Sequence, residues 1–247
     1  VAERYGLQMG YRSWDELLND SQVQVVHLTS PNRYHYQQTL DALQAGKHVL
    51  CEKPLAMNTR ESLELVRAAE ESGLVTAVNY NVRYYPLNIE LRQRLRDSST
   101  SSDIFHVTGS YTQDWLHQAT DINWRVLRSE GGALRAIADI GTHWLDLILS
   151  ITGLKVHAVL ADLHTVHPIR YRDKASHETF SQSASKQLDR QLEAIDIDTE
   201  DVGHVMLRFS NGAKGLFYVS QVCAGRKNCI RYEISTSDAC YAWDSQN

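Results

Sequence analysis

The chain has 247 residues, of which 43% are hydrophobic and 22% charged, and its formal net charge is −5. This composition is typical of a globular protein and excludes a wholly disordered chain, a collagen and a small disulfide-stapled scaffold. The mildly acidic balance provides no general electrostatic surface for nucleic acid or for anionic lipid, so we expect neither nucleic acid nor a membrane as a partner.

The cysteines and histidines show no pattern that indicates a metal. The four cysteines are Cys51, Cys223, Cys229 and Cys240, and no two of them have the C-x-x-C spacing of a zinc or dithiol site. We therefore expect no metal. Free thiols are typical of a reducing compartment, which predicts a cytoplasmic location.

Helices and strands are predicted to alternate over residues 1–80, within a first domain that extends to residue 86. Strands are expected at 23–29, 48–52 and 74–78, and helices at 1–5, 33–45 and 59–72. Asn58 and Glu61 have the spacing of a capping box before the last of these helices. Short connections between such elements indicate parallel strands with right-handed crossovers. The prediction for this part is an α/β fold with a partial Rossmann-type parallel sheet.

Residues 87–247 predict an α+β domain with an open antiparallel sheet. Helices are expected at 87–96 and 134–152, and strands at 104–111, 155–165, 203–209, 213–220, 231–235 and from 241. Asn211-Gly212 is a strong hairpin signal between two of these strands. Polar turns or loops are expected at 98–102, 113–132 and 171–190, the last as a mobile surface excursion.

The carboxyl ends of the predicted parallel strands form the expected binding edge, because ligands of such sheets bind there. Thr29-Ser30-Pro31-Asn32 follows the first strand, and Asn32 is a candidate helix N-cap. Backbone amides at a helix start suit a phosphate or a ribose, although simple capping explains the segment equally well. Lys53 follows the second strand, where a partly desolvated lysine can serve in acid–base chemistry. The alternative is a surface lysine in a turn.

Two further groups of polar residues fall in the second half. Asp139, His143 and Asp146 share one face of the predicted long helix, and a carboxylate one turn from an imidazole can orient it. The alternative is a dipole-stabilised aspartate beside a core histidine. In the long loop, Trp124 can stack on a ring and Arg125 can clamp hydroxyls or a phosphate. Anchoring of the loop explains the pair equally well.

Together these segments resemble the glucose–fructose oxidoreductase / inositol dehydrogenase (Gfo/Idh/MocA) family. The segment Cys51-Glu52-Lys53-Pro54 is similar to its Glu-Lys-Pro signature, and residues 29–32 with His35 are similar to its cofactor loop. Asp139-x-Gly141-x-His143 looks like its catalytic-helix signature. Asn123-Trp124-Arg125 and Val219-Ser220-Gln221 look like a sugar-oxidising branch. The resemblance runs along nearly the whole chain.

The resemblance implies a Rossmann domain at 1–86, an α+β substrate and oligomerisation domain at 87–247, and NAD or NADP as cofactor. It implies hydride transfer at a sugar or polyol hydroxyl or carbonyl, and a homo-oligomer. Lys53 would position the reacting hydroxyl, His143 would act as general acid/base, and Asp139 would orient substrate or His143. Arg83 would join these three residues in contacting substrate. The expected cofactor contacts are Thr29, Ser30, Pro31, Asn32, His35, Glu52, Lys53, Trp124 and Arg125.

The chain departs from the family pattern at its beginning. The first strand, the G-x-G-x-x-G turn and the residue that discriminates NAD from NADP are absent from the sequence. The chain also stops soon after Trp243, short of the expected last strands. We therefore expect a fragment or a truncated product. The alternative function is a non-catalytic sugar- or nucleotide-sensing regulator on the same scaffold, which the missing glycine turn favours and the retained Lys53, Asp139 and His143 disfavour.

Overall fold

The computed structural model describes residues 6, 9–96, 103–173 and 192–246. The chain forms two compact units, one up to Asn79 and the other from Tyr80 onwards. The predicted helix at 1–5 and the predicted turn at 98–102 lie outside the described residues. The domain boundary expected after residue 86 stays a prediction. Within the described ranges, no helix is long and apolar enough to cross a membrane.

The first unit is a parallel sheet with helices. Its elements are α1 (Trp14–Asn19), β1 (Val25–Leu28), α2 (Asn32–Gln44), β2 (His48–Cys51), α3 (Thr59–Ser72) and β3 (Thr76–Val78). The strands lie in the order β1-β2-β3 and all pairs are parallel, as predicted. Inward-facing Val26, Leu28 and Val49 of the strands form its core with Ala42 and Leu43 of α2.

The caps of α3 explain where this helix begins and ends. The Asn58 side chain accepts a hydrogen bond from the Glu61 amide at 3.0 Å, as the capping box predicts. The Glu61 carboxylate, however, accepts from the amide of Met57 at 3.2 Å, one residue before the amide that a standard box uses. Gly73 ends the helix in the left-handed region at φ 64°, where glycine carries no steric penalty.

The second unit contains a six-stranded sheet with α6 packed on one face. Its elements are α4 (Pro86–Arg96), β4 (Ile104–Thr112), α5 (Arg128–Gly131), α6 (Thr142–Thr152), β5 (Val156–His164), β6 (Ile169–Asp173), β7 (Leu192–Asp196), β8 (Val202–Phe209), β9 (Lys214–Ser220), β10 (Cys229–Thr236) and β11 (Cys240–Asp244). Short 3₁₀ helices lie at Asn81–Tyr84 and Trp124–Val126.

The large sheet is mixed, so the prediction of an antiparallel sheet is wrong at one pair. The strand order is β11-β10-β4-β9-β8-β5, and β4 and β9 run parallel while the other pairs are antiparallel. About a hundred residues separate β4 from β9. Local sequence patterns set the direction of hairpin partners but not of such distant neighbours.

Other predicted elements differ from the structure in detail. The predicted helix at 134–152 begins as a π-helical turn at Ile137–Gly141 and continues as α6. The predicted surface excursion at 171–190 begins inside β6, which pairs with β7, and residues 174–191 lie outside the described residues. The hairpin at Asn211-Gly212 and the strand from residue 241 are confirmed.

Packing between α6 and the sheet requires a glycine at position 109. The Trp144 ring stacks on Phe217 with centroids 4.4 Å apart, and its Nε1 donates to the Arg231 carbonyl at 2.8 Å. A Cβ at Gly109 would lie 2.2 Å from that carbonyl oxygen and 2.4 Å from the indole nitrogen. No side chain fits there without displacing backbone.

We expect Gly109→Ala to destabilise the protein by about 1–3 kcal/mol or more, because the added methyl overpacks a rigid contact. Thr108→Ala, on the opposite face of β4, is the matched control and costs about 1 kcal/mol or less. Urea denaturation measures both free energies of unfolding. Equal stability of the two variants would contradict this account of the packing.

Candidate functional site

A buried histidine connects two loops at the carboxyl edge of the small parallel sheet. The His35 ring is 1% exposed. Its Nδ1 lies 2.8 Å from the carbonyl oxygen of Pro54, and its Nε2 lies 2.9 Å from that of Ser30. Both ring nitrogens therefore face backbone of this unit, in the segments that follow β1 and β2. Contact of His35 with the cofactor stays a prediction; in the structure its ring links these two segments.

The start of α2 supplies main-chain donors at the same edge. Pro31 is the N-cap and Asn32 is the first helical residue, so the prediction that Asn32 caps the helix is wrong by one position. The proline side chain has no acceptor, and α2 consequently has no side-chain cap. The Ser30 hydroxyl donates to Gln38 at 2.6 Å, and Thr29 is exposed. The positive end of the helix dipole favours a polar or anionic ligand group near such a start.

Glu52 connects the ends of all three strands. Its carboxylate accepts from Asn79 Nδ2 at 2.6 Å and lies 3.4 Å from His27 Nε2. His27 belongs to β1, Glu52 follows β2, and Asn79 follows β3. Lys53 comes next in the chain and is half-buried. The small sheet thus holds the predicted residues after β1 and after β2 at one edge.

In the second unit, Asp139 is contacted through both carboxylate oxygens. Gln221 Nε2 donates to Oδ2 at 2.8 Å, and Arg125 Nε lies 3.4 Å from Oδ1. The Arg125 guanidinium stacks over the Trp124 ring at 4.4 Å. Trp124 and Arg125, expected to contact cofactor, therefore lie beside the predicted catalytic aspartate. In the sequence, Gln221 belongs only to the branch signature Val219-Ser220-Gln221, which assigns it no role.

His143 is buried on α6 between two tyrosines. Its ring centroid lies 5.5 Å from that of Tyr80 and 6.2 Å from that of Tyr111. Burial, with the nearby Asp139 carboxylate, raises the pKa of Tyr111 to about 12. Asp139 and His143 therefore both lie near Tyr111, and the pairing of these two residues stays a prediction. The π turn at Asp139 has more residues per turn than an α-helix. Asp139 and His143, four positions apart, therefore do not share a helix face in the way that 3.6 residues per turn predicts.

Asp146 pairs with Arg83, a partner that the shared-face pattern of the helix does not predict. Arg83 Nε donates to Asp146 Oδ2 at 2.8 Å, and its Nη2 contacts Oδ1. The hydrogen bond to this carboxylate raises the pKa of the Arg83 guanidinium. Such a bidentate pair fixes both side chains. The role of Arg83 in contacting substrate stays a prediction.

A buried ionic cluster that sequence analysis missed lies behind Asp139. Arg135 and Arg170 both contact the Asp201 carboxylate, and all three side chains have no exposed surface. Glu200 accepts hydrogen bonds from the amides of Arg135 and Ile137 at 2.9–3.0 Å, at the start of the π turn. The sequence gives no signal for the cluster, because its members are 31 to 66 positions apart (135, 170 and 201).

The same cluster fixes the long loop. Arg170 donates to the carbonyls of Leu116, Gln118 and Asp121 at 2.7–3.0 Å. Burial alone would raise the pKa of the Asp201 carboxyl, but Arg135, a backbone amide and Arg170 reverse this effect and lower the pKa. One carboxylate therefore holds the loop and, through Arg135, the helix that carries Asp139.

Comparison with known proteins places this chain. Residues 1–80 match the family model described as an oxidoreductase family with an NAD-binding Rossmann fold, and residues 90–242 match the GFO/IDH/MocA C-terminal domain. Levoglucosan dehydrogenase of Pseudarthrobacter phenanthrenivorans is 30% identical over 235 residues, which are 95% of this chain and 58% of that protein. The scyllo-inositol 2-dehydrogenase (NADP(+)) of Bacillus subtilis is 31% identical over 57% of this chain and 38% of its own length.

Solved structures agree. A levoglucosan dehydrogenase in complex with NADH and L-sorbose superposes with a TM-score of 0.86 at 28% identity, over 100% of this chain and 61% of that one. Both matching models describe a family of oxidoreductases whose N-terminal domain is an NAD-binding Rossmann fold. The chain belongs to the Gfo/Idh/MocA family, which confirms the family and the fold class predicted from its motifs. It spans about three fifths of the length of these long-matching relatives.

We expect Asp201→Asn to lower the free energy of unfolding by about 3–5 kcal/mol at neutral pH, because it leaves two buried arginines short of a counter-charge. Because folding lowers the pKa of Asp201, its contribution is present above the unfolded pKa of about 3.9 and is lost as pH falls through the lower folded pKa. The free energy of unfolding of the variant should therefore fall less steeply with decreasing pH than that of the wild type.

Denaturation curves at several pH values measure both effects. Asp198→Asn is the matched control, because Asp198 lies three residues earlier and its pair with Arg128 is exposed. This control should change stability far less. A variant at position 201 as stable as the control would show that the cluster carries little of the fold.

Proposed function

We propose that the protein is an NAD(P)-dependent oxidoreductase that transfers a hydride between a nicotinamide cofactor and a hydroxyl or carbonyl of a sugar or polyol. Family membership supports the reaction class, and relatives along most of the chain act on sugars by their names. The observation that carries the proposal is the buried His143 near Asp139, whose carboxylate is held by Gln221 and Arg125. A sensor has no need of such proton-transfer groups.

The edge of the small sheet fits the polar part of a dinucleotide. The start of α2, the positive end of its helix dipole, lies at this edge, and His35 holds the two neighbouring loops in place. Thr29, Ser30 and Asn32 would hold the cofactor with Glu52 and Lys53. When bound, the cofactor supplies the hydride acceptor or donor.

The remaining chemistry belongs to side chains of this chain. Lys53 would orient the reacting hydroxyl and favour loss of its proton, while His143 would take that proton in oxidation and return it in reduction. Asp139, an acceptor when ionised, would orient a substrate hydroxyl or the imidazole. Arg125 would make a polar contact and Trp124 a stacking contact with the cofactor. Arg83 would contact the substrate.

A fluorescence titration with NADH and NADPH, followed by a screen of sugars and polyols, tests the function. Micromolar cofactor binding with turnover of a sugar or polyol is the expected outcome. Binding of sugar or nucleotide without turnover would favour the sensing regulator. No binding of either class of ligand would contradict both functions for the chain as it stands.

Lys53→Ala should cut turnover by about 10² or more, the scale of losing an acid–base group. Lys155→Ala is the control, because Lys155 is exposed before β5 and has no proposed role. Steady-state kinetics with saturating cofactor measure both variants. Turnover of the Lys53 variant at the wild-type rate would remove this residue from the mechanism.

We further propose that the outer face of the large sheet joins a second copy of the chain. Leu160, Met206 and Leu216 stand side by side on β5, β8 and β9 and are 49–65% exposed. Exposed apolar rows on a sheet mark association surfaces. Sedimentation should show an oligomer that Met206→Lys dissociates while it stays folded. A monomeric wild-type protein at all concentrations would refute this.

We also infer a cytoplasmic location. All four cysteines are free thiols in the structure. Cys51, at the end of β2, is buried, and burial raises the pKa of its thiol to about 11, which keeps it protonated and unreactive. Reduced thiols of this kind are typical of a reducing compartment.

A further inference from the structure

Gln221 lies at the end of β9 and reaches Asp139 from inside the fold. It is 2% exposed, and its Nε2 donates to Asp139 Oδ2 at 2.8 Å. This orientation of the amide follows from chemistry, because an ionised carboxylate only accepts hydrogen bonds and the amide oxygen in that place would be repelled. A buried neutral donor therefore faces one oxygen of the predicted catalytic carboxylate.

The backbone of Gln221 is held on both sides. Its amide donates to the Asp201 carbonyl at 3.0 Å, and its carbonyl accepts from the Leu116 amide at 3.1 Å. Asp201 is the buried carboxylate between Arg135 and Arg170. The side chain thus extends from a rigid base, and little further ordering is needed when it binds Asp139.

Asp139 itself lies in a part of the helix that needs outside support. It falls in the π turn at Ile137–Gly141, where backbone hydrogen bonds join residues five positions apart instead of four. Arg125 contacts the oxygen that Gln221 does not contact. A hydrogen-bond donor on one oxygen and an ion-pair partner on the other, from two separate segments, restrain the plane of the carboxylate.

We propose that Gln221 is a positioning residue that fixes the orientation of the Asp139 carboxylate for the reaction; this rests on the proposed function. Without the amide donor, Oδ2 loses its buried hydrogen bond while the ion pair of Oδ1 with Arg125 stays, so the orientation of the carboxylate is fixed less firmly. Substrate or imidazole oriented by Asp139 is then misplaced, and a small misplacement slows the chemical step more than it weakens binding.

The variant Gln221→Met tests this contact by a measurement that does not depend on enzymatic activity. Methionine has nearly the same shape but no donor. Carboxyl carbon NMR, with Asp139→Asn to assign the signal, should show the pKa of Asp139 raised by about one unit or more, because the ionised form loses a hydrogen bond. Gln113→Met is the matched control: Gln113 is 3% exposed and donates to Asn228 instead. An Asp139 titration that Gln221→Met leaves unchanged would overturn the proposal.

The variant Gln221→Glu provides a second test of the same contact in case the methionine variant does not fold. Two carboxylates at hydrogen-bond distance share one proton, so we expect the Asp139 signal to titrate well above its wild-type position. Arg125, Tyr111 and His143 also face this pair and are the same in wild type and variant. A wild-type Asp139 titration in this variant would likewise overturn the proposal.

Kinetics separate positioning from a purely structural role. For Gln221→Met we expect kcat to fall roughly 10- to 100-fold, with KM changed much less. For Gln221→Glu we expect the ratio of its rate to the wild-type rate to rise as pH falls and a proton restores the hydrogen bond. Equal loss at every pH would refute positioning. A wild-type protein without turnover would refute the proposed function alone, since the NMR titration still reports on Gln221.

Discussion

The arrangement of the second unit depends on the buried carboxylate of Asp201. Two arginines with no exposed surface converge on it, and each would be strongly unfavourable in the interior without a counter-charge. Arg135 precedes the helical turn that carries Asp139, and Arg170 holds the loop that leads to Arg125. The backbone carbonyl of Asp201 also holds Gln221. The turn that carries Asp139 and the two segments that contact its carboxylate are thereby fixed by one residue.

The Asp201 cluster holds the segments around Asp139 in fixed positions. A carboxylate that must orient another group is most effective when its own donors are already in place, since no reorganisation is then needed during the reaction. The same principle applies in the first unit. There, His35 links the segments after β1 and β2 through two carbonyl contacts, next to Lys53 and the uncapped start of α2.

Much of the fold could be predicted from local patterns. Apolar runs bounded by Gly and Pro indicated the three parallel strands, Asn58 and Gly73 marked the ends of α3, and Asn211-Gly212 marked the β8–β9 hairpin. These signals are local because caps and tight turns depend on the conformations of a few neighbouring residues. The parallel pairing of β4 with β9 and the π turn at Ile137–Gly141 were missed, since neither has a local signature.

The sequence by itself determined the family, the class of fold and the short motifs around Lys53, Asp139 and His143, because these are contiguous strings with fixed spacing. Only the tertiary structure decided the partners of those residues. It paired Asp146 with Arg83, gave Asp139 the donor Gln221 and the ion-pair partner Arg125, and buried His35 between carbonyls. Hydrogen bonds and ion pairs form between groups that are close in space, and distances along the chain do not encode that proximity.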